Sequence, residues 1–241
     1  MRHHAVCDRP PRARRPTTAD RHAPPHRRSA RLRARRRARA PQLIVVAVAG
    51  DSISAGSPRW DPDSSVRARI ADPDERNQWQ FWAARADARL EFRTTAVYGE
   101  RTDEIARRLD LVLPGADVLV VQGGINDVVQ RRPVEKTARN IEAMLVRGRD
   151  AGLALAVTDV LPWNNGDERA AEDIERLNAL IRQLAATADA TLLPFRDTLA
   201  DPADPRRMRD GLTDDGDHPS VEGHQLLGEL AGRRAALFAR R

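Results

Sequence analysis

Residues 43–56, LIVVAVAGDSISAG, form an apolar run that stops abruptly at Gly-Asp-Ser. A continuous series of Leu, Ile and Val reads as a strand buried on both faces, as in the interior of a parallel sheet. The change to Gly50, Asp51 and Ser52 puts a hydroxyl at the C-terminal edge of that strand. In open parallel sheets this is the edge where ligands bind. Ser52 is therefore the residue to which the rest of the chain must deliver partners.

Downstream of this first strand, apolar runs and helical periodicities alternate. Residues 57–75, with three Pro and many Asp, predict a long loop or a broken helix start, and 77–88 a helix with Trp79, Trp82 and Ala83 on one side. A second strand over 91–97 leads to Tyr98-Gly99, and a helix over 103–113 is capped by Thr102. A third strand, 117–121, runs into Gln122-Gly123-Gly124-Ile125-Asn126-Asp127, and a helix follows from Pro133 to about Arg149. A fourth strand, 153–158, precedes Pro162-Trp163-Asn164-Asn165-Gly166, and a long amphipathic helix covers 167–188. A short fifth strand is expected over 191–194, mostly loop over 195–217, and a last helix, capped by Ser220, over 221–238. Strand and helix alternate five times, which predicts an α/β fold with a parallel sheet covered on both faces by right-handed crossovers.

A chain of 241 residues can form one sizeable domain and a small extension. Residues 1–40 hold fourteen Arg against two Asp, a net of +12, so the remainder of this +6 chain carries −6. The extension is rich in Arg, Pro and His and nearly free of large apolar residues, which predicts disorder, with the folded domain over 41–241. Nucleic acid or an anionic surface could be a partner only through this arm. A dispensable extension or an overextended start of translation explains the same composition.

The single cysteine, Cys7, allows no internal disulfide and no cysteine-based metal cluster. No metal-ligand spacing stands out among Asp and His, and neither metal nor cofactor is expected. The longest apolar run falls far short of the roughly 20 residues of a membrane span. Basic residues followed by LIVVAVAG imitate a secretory signal, but cleavage near Ala49 would detach the first strand from Ser52. A cytoplasmic protein is the expectation.

Ester hydrolysis needs a nucleophile, a base, an orienter for the base and donors for the oxyanion. Ser52 is the candidate nucleophile, and Gly50 would allow a tight turn before it. The base must come from His218, in a polar loop before the last helix, or His224 inside that helix, and the loop position favours His218. Asp215, three residues earlier, could reach Nδ1 of His218 in a turn while Nε2 faces Ser52. Asp214 and Asp217 compete for that role, and spacing alone does not choose. Oxyanion donors are available at the Ser52 N–H, the Gly99 N–H and the Asn126 side chain, all at strand ends.

These blocks resemble the SGNH hydrolases, also called the GDSL-like lipase/acylhydrolase family. Gly50-Asp51-Ser52-Ile53, Tyr98-Gly99-Glu100-Arg101-Thr102, Gly124-Ile125-Asn126-Asp127 and Asp215-Gly216-Asp217-His218-Pro219 match the family's four blocks in order, over nearly all of the ordered chain. The resemblance implies a three-layer α/β/α sandwich, flavodoxin-like, with a five-stranded parallel sheet ordered 2-1-3-4-5. It implies serine-dependent attack on acyl esters, with Ser52, Asp215 and His218 catalytic and Ser52, Gly99 and Asn126 forming the oxyanion hole. Ile53 stands where the family usually has Leu, and Tyr98 where a small residue is more common before the second-block glycine. Asp51 and Asp127 are read as hydrogen-bonding supports for the site.

Tyr98, Trp163 and Asn164 are candidates for the substrate pocket, with Asn165, Arg59 and Trp60 near its entrance. Compact loops argue for a small or short-acyl ester. A thioesterase or a carbohydrate O-deacetylase would use the same residues. A nucleic-acid-binding protein with an inert hydrolase-like domain is the alternative from another class. A nucleotide-binding domain is disfavoured because neither GxxxxGK[ST] nor GxGxxG occurs in the body.

Overall fold

The sheet is built around strand β1 (Ile44–Ala49), the apolar run before Gly50. In this computed structural model, which describes residues 42–238, five parallel strands take the order β2-β1-β3-β4-β5. The expected disorder of residues 1–40 lies outside the described residues. After β1 come the short helices α1 (Ser52–Ala55) and α2 (Ser64–Arg67), then α3 (Trp79–Ala86) and β2 (Leu90–Thr94). Helix α4 (Thr102–Arg107), β3 (Val118–Val121), α5 (Ile125–Val129), α6 (Val134–Asp150) and β4 (Ala154–Thr158) follow. The chain closes with α7 (Glu168–Thr187), β5 (Thr191–Leu193), α8 (Phe195–Leu199) and α9 (Val221–Phe238).

Side chains alternate across the strands and build two cores, as the period of 2 requires. Ala47, Ala49, Leu119, Val121, Leu155 and Val157 face α4, α6 and α7, where Ile105, Ile141 and Leu177 meet them. Val46, Val48, Val118, Val120 and Ala156 face α3, α8 and α9, where Trp79, Phe195 and Leu227 meet them. This is the three-layer α/β/α sandwich in the expected strand order. Because β1 lies between β2 and β3, the chain leaves it in opposite directions on either side, and a crevice opens where Ala49 pairs with Val121.

Helices α3 and α9 touch backbone to backbone. A Cβ on Gly228 would stand 2.3 Å from the Trp79 carbonyl oxygen, and one on Gly232 would stand 2.6 Å from Ala86 Cβ. The four-residue spacing of these glycines puts both on one helix face. Trp79 is fully buried between the layers, its indole N–H donating to Ser54 Oγ at 3.1 Å.

Several elements differ from the sequence reading. Strand β2 ends at Thr94, short of the expected Val97, although the Thr95 and Val97 N–H groups still donate to the Val48 and Gly50 carbonyls at 3.1 Å and 3.2 Å. The helix expected over 77–88 is a 3-10 turn, Glu75–Asn77, followed by α3. The helix expected over 103–113 breaks after Arg107 into a 3-10 turn, Leu109–Leu111. Thr102 does not cap it, because its hydroxyl donates to Asp127 Oδ1 at 2.9 Å. Residues 195–217 are mostly loop, as expected, with the short helix α8 at their start. Among the described residues no helix is long and apolar enough to cross a membrane.

Candidate active site

Gly50, Asp51 and Ser52 leave β1 straight into α1, so Ser52 sits at the first position of a short helix. The reason for glycine at 50 differs from the expected tight turn. A Cβ there would lie 2.7 Å from Gln122 Oε1 and 2.8 Å from the Ser54 side chain, so close packing of these two side chains leaves no room for a larger residue. Asp51 caps α1 by accepting the Ile53 N–H at 3.0 Å, and it accepts a second bond from Gln122 Nε2 at 2.8 Å. Gln122 Oε1 in turn accepts the Asp51 N–H at 3.2 Å. Gln122, given no role in the sequence reading, thus locks the ends of β1 and β3 together beside Ser52. Burial pushes the Asp51 carboxyl up to about 6, although these hydrogen bonds pull it down.

His218 Nε2 lies 3.1 Å from Ser52 Oγ, and His218 Nδ1 lies 2.8 Å from Asp215 Oδ2. The local fold explains the three-residue spacing. Asp215 Oδ1 accepts the N–H groups of Asp217 at 2.9 Å and His218 at 2.7 Å, which curls the chain and leaves Oδ2 for the ring. Burial alone would raise the Asp215 carboxyl, but hydrogen bonds from the His218 side chain and from both backbone N–H groups hold it below its ordinary value. Thr213 Oγ1 donates to the His218 carbonyl at 2.7 Å, and Asn165 Nδ2 donates to the Asp215 carbonyl at 2.8 Å.

The competing aspartates are engaged elsewhere. Asp214 pairs with Arg59 at 3.1 Å, and Asp217 Oδ1 accepts the Trp163 indole N–H at 2.5 Å and Asn165 Nδ2 at 2.7 Å. His224 is completely buried in α9, and burial, with a smaller contribution from His218, pushes its imidazole down to about 3. It is a neutral packing residue. Ser220 caps α9, accepting the Gly223 N–H at 3.1 Å.

The proposed oxyanion donors converge on the same crevice. Gly99 has φ +77°, a left-handed conformation that glycine adopts freely, and Ser52, Gly99 and Asn126 line one cleft of about 160 Å³ with His218. Among the described residues neither the Ser52 N–H nor the Gly99 N–H meets a protein acceptor. Asn126 Nδ2 donates to the Glu100 carbonyl at 2.9 Å, which fixes the amide and leaves its second N–H available. Asp127 accepts the Thr102 N–H at 2.8 Å and the Thr102 hydroxyl, and Asn140 Nδ2 donates to that hydroxyl at 2.9 Å. Helices α4, α5 and α6 are thereby tied together under Gly99 and Asn126. Burial raises the Asp127 carboxyl and the Thr102 bonds offset part of that rise. The Arg108 guanidinium joins Glu100 to the Thr95 carbonyl and pins the Gly99 loop from behind.

Of the expected pocket residues, Tyr98 and Trp163 line the cleft. The Tyr98 ring stacks on His218 with centroids 6.0 Å apart. Asn164 does not line it. Its side chain accepts the Met208 N–H at 2.6 Å and donates to the Met208 carbonyl at 3.1 Å, so it anchors the 200–208 loop. Arg59 and Trp60 are also outside the cleft lining, held by Asp214 and by the Arg67 guanidinium 4.5 Å from the Trp60 ring. Ile53, Ile125 and Val129 supply the apolar wall. Among the described residues no group of three His, Cys, Asp or Glu is placed to hold a metal ion.

The GDSL-like lipase/acylhydrolase family matches residues 48–226. Among solved structures, a GDSL-like lipase from Bacteroides thetaiotaomicron VPI-5482 superposes with a TM-score of 0.63 at 17% identity, over 80% of this chain and 88% of that one. A member of the lipolytic protein G-D-S-L family from Veillonella parvula DSM 2008 gives 0.63 at 14% identity, over 83% and 100%. The psychrotrophic esterase EstA from Pseudoalteromonas sp., in a structure inhibited by monoethylphosphonate, gives 0.61 at 18% identity, over 82% and 99%. The curated proteins give no match.

Proposed function

The chain belongs to the GDSL-like lipase/acylhydrolase family and is an ester-hydrolysing hydrolase, and from that premise we propose that it cleaves small or short-acyl carboxylic esters through an acyl-enzyme on Ser52. The observation that carries the proposal is the relay from Asp215 Oδ2 through His218 to Ser52 Oγ, with steps of 2.8 Å and 3.1 Å at the mouth of one cleft. The cleft volume of about 160 Å³ suits a short acyl group.

In the first step His218 Nε2 takes the Ser52 proton as Oγ bonds to the ester carbon. The developing oxyanion is held by the Ser52 and Gly99 N–H groups and the Asn126 amide, each worth roughly 3–4 kcal/mol at the transition state. Collapse breaks the bond to the alcohol oxygen, which leaves with the proton from Nε2. In the second step His218 takes a proton from water, the hydroxide adds to the acyl carbon, and Ser52 leaves with that proton as the acid departs. Asp215 keeps the ring in the tautomer with hydrogen on Nδ1 and stabilises the imidazolium.

The cytoplasm is the compartment we assign. The residues that imitate a signal's apolar core are β1 itself, and cleavage near Ala49 would remove the strand that joins β2 to β3.

The test is serine-directed fluorophosphonate labelling of wild type, Ser52→Ala and His218→Ala, followed by p-nitrophenyl esters, acyl-thioesters and acetylated sugars. Labelling should vanish in Ser52→Ala, and turnover should fall at least about 10³-fold in both variants. Preference for thioesters or acetylated sugars would reassign the substrate to those classes. Full labelling or turnover in Ser52→Ala would overturn the reading by moving the nucleophile elsewhere, and a wild type that takes no label and cleaves no ester would favour an inert domain beside a nucleic-acid-binding arm.

A further inference from the structure

We propose that the substrate's alcohol portion carries a positive charge, an ammonium or quaternary ammonium group held by Tyr98, Trp163 and Asp217. This inference rests on the proposed acyl-transfer reading and names the substrate class it acts on.

Three observations converge. First, the cleft holds two aromatic residues, Tyr98 and Trp163, and no Arg or Lys among its lining residues. That is unusual company in a chain with 41 basic residues, and aromatic faces are the side-chain surfaces that attract cations. Second, Asp217 lines the same cleft with an exposed side chain. Its Oδ1 is used by Trp163 and Asn165, while Oδ2 has no protein donor and the carboxylate no cationic partner among the described residues. Its neighbours differ, since Asp214 has Arg59 and Asp215 has His218. Third, Trp163 is held rigidly. Its indole N–H is fixed on Asp217, and a Cβ on Gly166 would fall 2.7 Å from its ring, so the ring lies directly on that backbone.

The mechanism assigns the cation to the alcohol rather than the acyl group. The leaving oxygen must receive its proton from His218 Nε2, so the alcohol lies on the imidazole side of Ser52. Asp217 directly precedes His218, and Tyr98 stacks on its ring at 6.0 Å. The acyl group is left to the apolar side formed by Ile53 and Ile125. A cationic alcohol would repel the imidazolium formed during attack, and the negative charge of Asp217 in the same cleft offsets part of that repulsion.

The experiment compares acetylcholine with its uncharged carbon isostere, 3,3-dimethylbutyl acetate, using p-nitrophenyl acetate as the reference ester. Wild type should favour acetylcholine about tenfold in kcat/KM at low ionic strength, with the preference shrinking as salt is added. Asp217→Asn keeps the Oδ1 acceptor for Trp163 and removes the charge, and should reduce the ratio to about twofold or less. Tyr98→Leu, at an exposed position, should lower it as well and decides the matter if the Asp217 variant fails to fold.

Because the two acetates share one acyl group and one chemistry, their ratio is insensitive to general damage to the site. A wild-type ratio near one overturns the inference. So does a ratio unchanged in the variants with both rates falling together, or turnover of p-nitrophenyl acetate alone. If no ester is cleaved and Ser52 takes no label, the proposed function itself fails and this inference with it.

Discussion

Asp215 Oδ2 stands 2.8 Å from His218 Nδ1 while Oδ1 of the same carboxylate accepts the His218 backbone N–H at 2.7 Å. One side chain therefore both shapes the loop and orients the ring. A carboxylate held at both oxygens cannot rotate away from the imidazole without breaking the turn.

Asp215→Asn should lower kcat/KM by roughly 10²–10⁴, because an amide can present its N–H to Nδ1 and stabilise the wrong tautomer. Asp215 is held below the ordinary carboxylate range, so it stays ionised above about pH 5 and the loss should persist at every higher pH. Asp214→Asn should change turnover less than about threefold, since it removes only the partly exposed pair with Arg59. Initial rates with p-nitrophenyl acetate from pH 5 upward check both.

Asn126→Ala should cost about 10²–10³ in kcat with little change in KM, as expected for a donor that acts on the oxyanion more than on the ground-state carbonyl. Its bond to the Glu100 carbonyl is also lost, but Arg108 and the Asp127–Thr102 pair still hold the Gly99 loop. A thermal melt near that of wild type, alongside the kinetics, separates loss of a donor from loss of structure.

Asp51→Asn should gain stability relative to wild type as pH rises. The folded carboxyl is pushed up to about 6 from an ordinary 3.8, so between these values the folded state binds more protons than the unfolded one. Wild-type stability attributable to Asp51 therefore falls as pH rises through that window, by an amount on the order of 2–3 kcal/mol, and stays low above it. Asn cannot ionise and lacks this slope. Asp159, pushed up to about 6 chiefly by burial, keeps its own slope in both proteins. Melting temperatures of the two proteins at pH 4 and pH 7.5 give the difference, and a parallel pair of curves would refute the assignment.

Gly228→Ala should destabilise the fold by about 1–3 kcal/mol, because the new methyl would meet backbone of α3 rather than a side chain that can turn aside. For a domain of this size the melting temperature should fall by a few degrees per kcal/mol, read by circular dichroism.

Much of the fold was legible because its signals are local. Apolar runs marked β1 and β3, Pro133 marked the start of α6, and helical spacing marked α7. The errors arose where a polar side chain had two possible uses. Thr102 reads as a cap but serves Asp127, and Asn164 reads as a pocket residue but anchors Met208, choices set by residues 25 and 44 positions away. Spacing left three aspartates open beside His218; the turn built on Asp215 chooses it, and Arg59, Trp163 and Asn165, brought in from other loops, occupy the other two. Gln122 carried no motif signal of its own. Gly228 and Gly232 did, since small residues four apart on a helix announce close approach, but their partner α3 lies far away in sequence.

The seating of α9 on α3 has a consequence for biosynthesis. His218 lies just ahead of Ser220, which starts the helix whose glycines clamp onto α3. During translation Ser52, Gly99 and Asn126 emerge early, whereas His218 comes more than 90 residues after Asn126. A chain synthesised only as far as β5 would therefore be silent in the proposed reaction, because it holds Ser52 without the His218 ring.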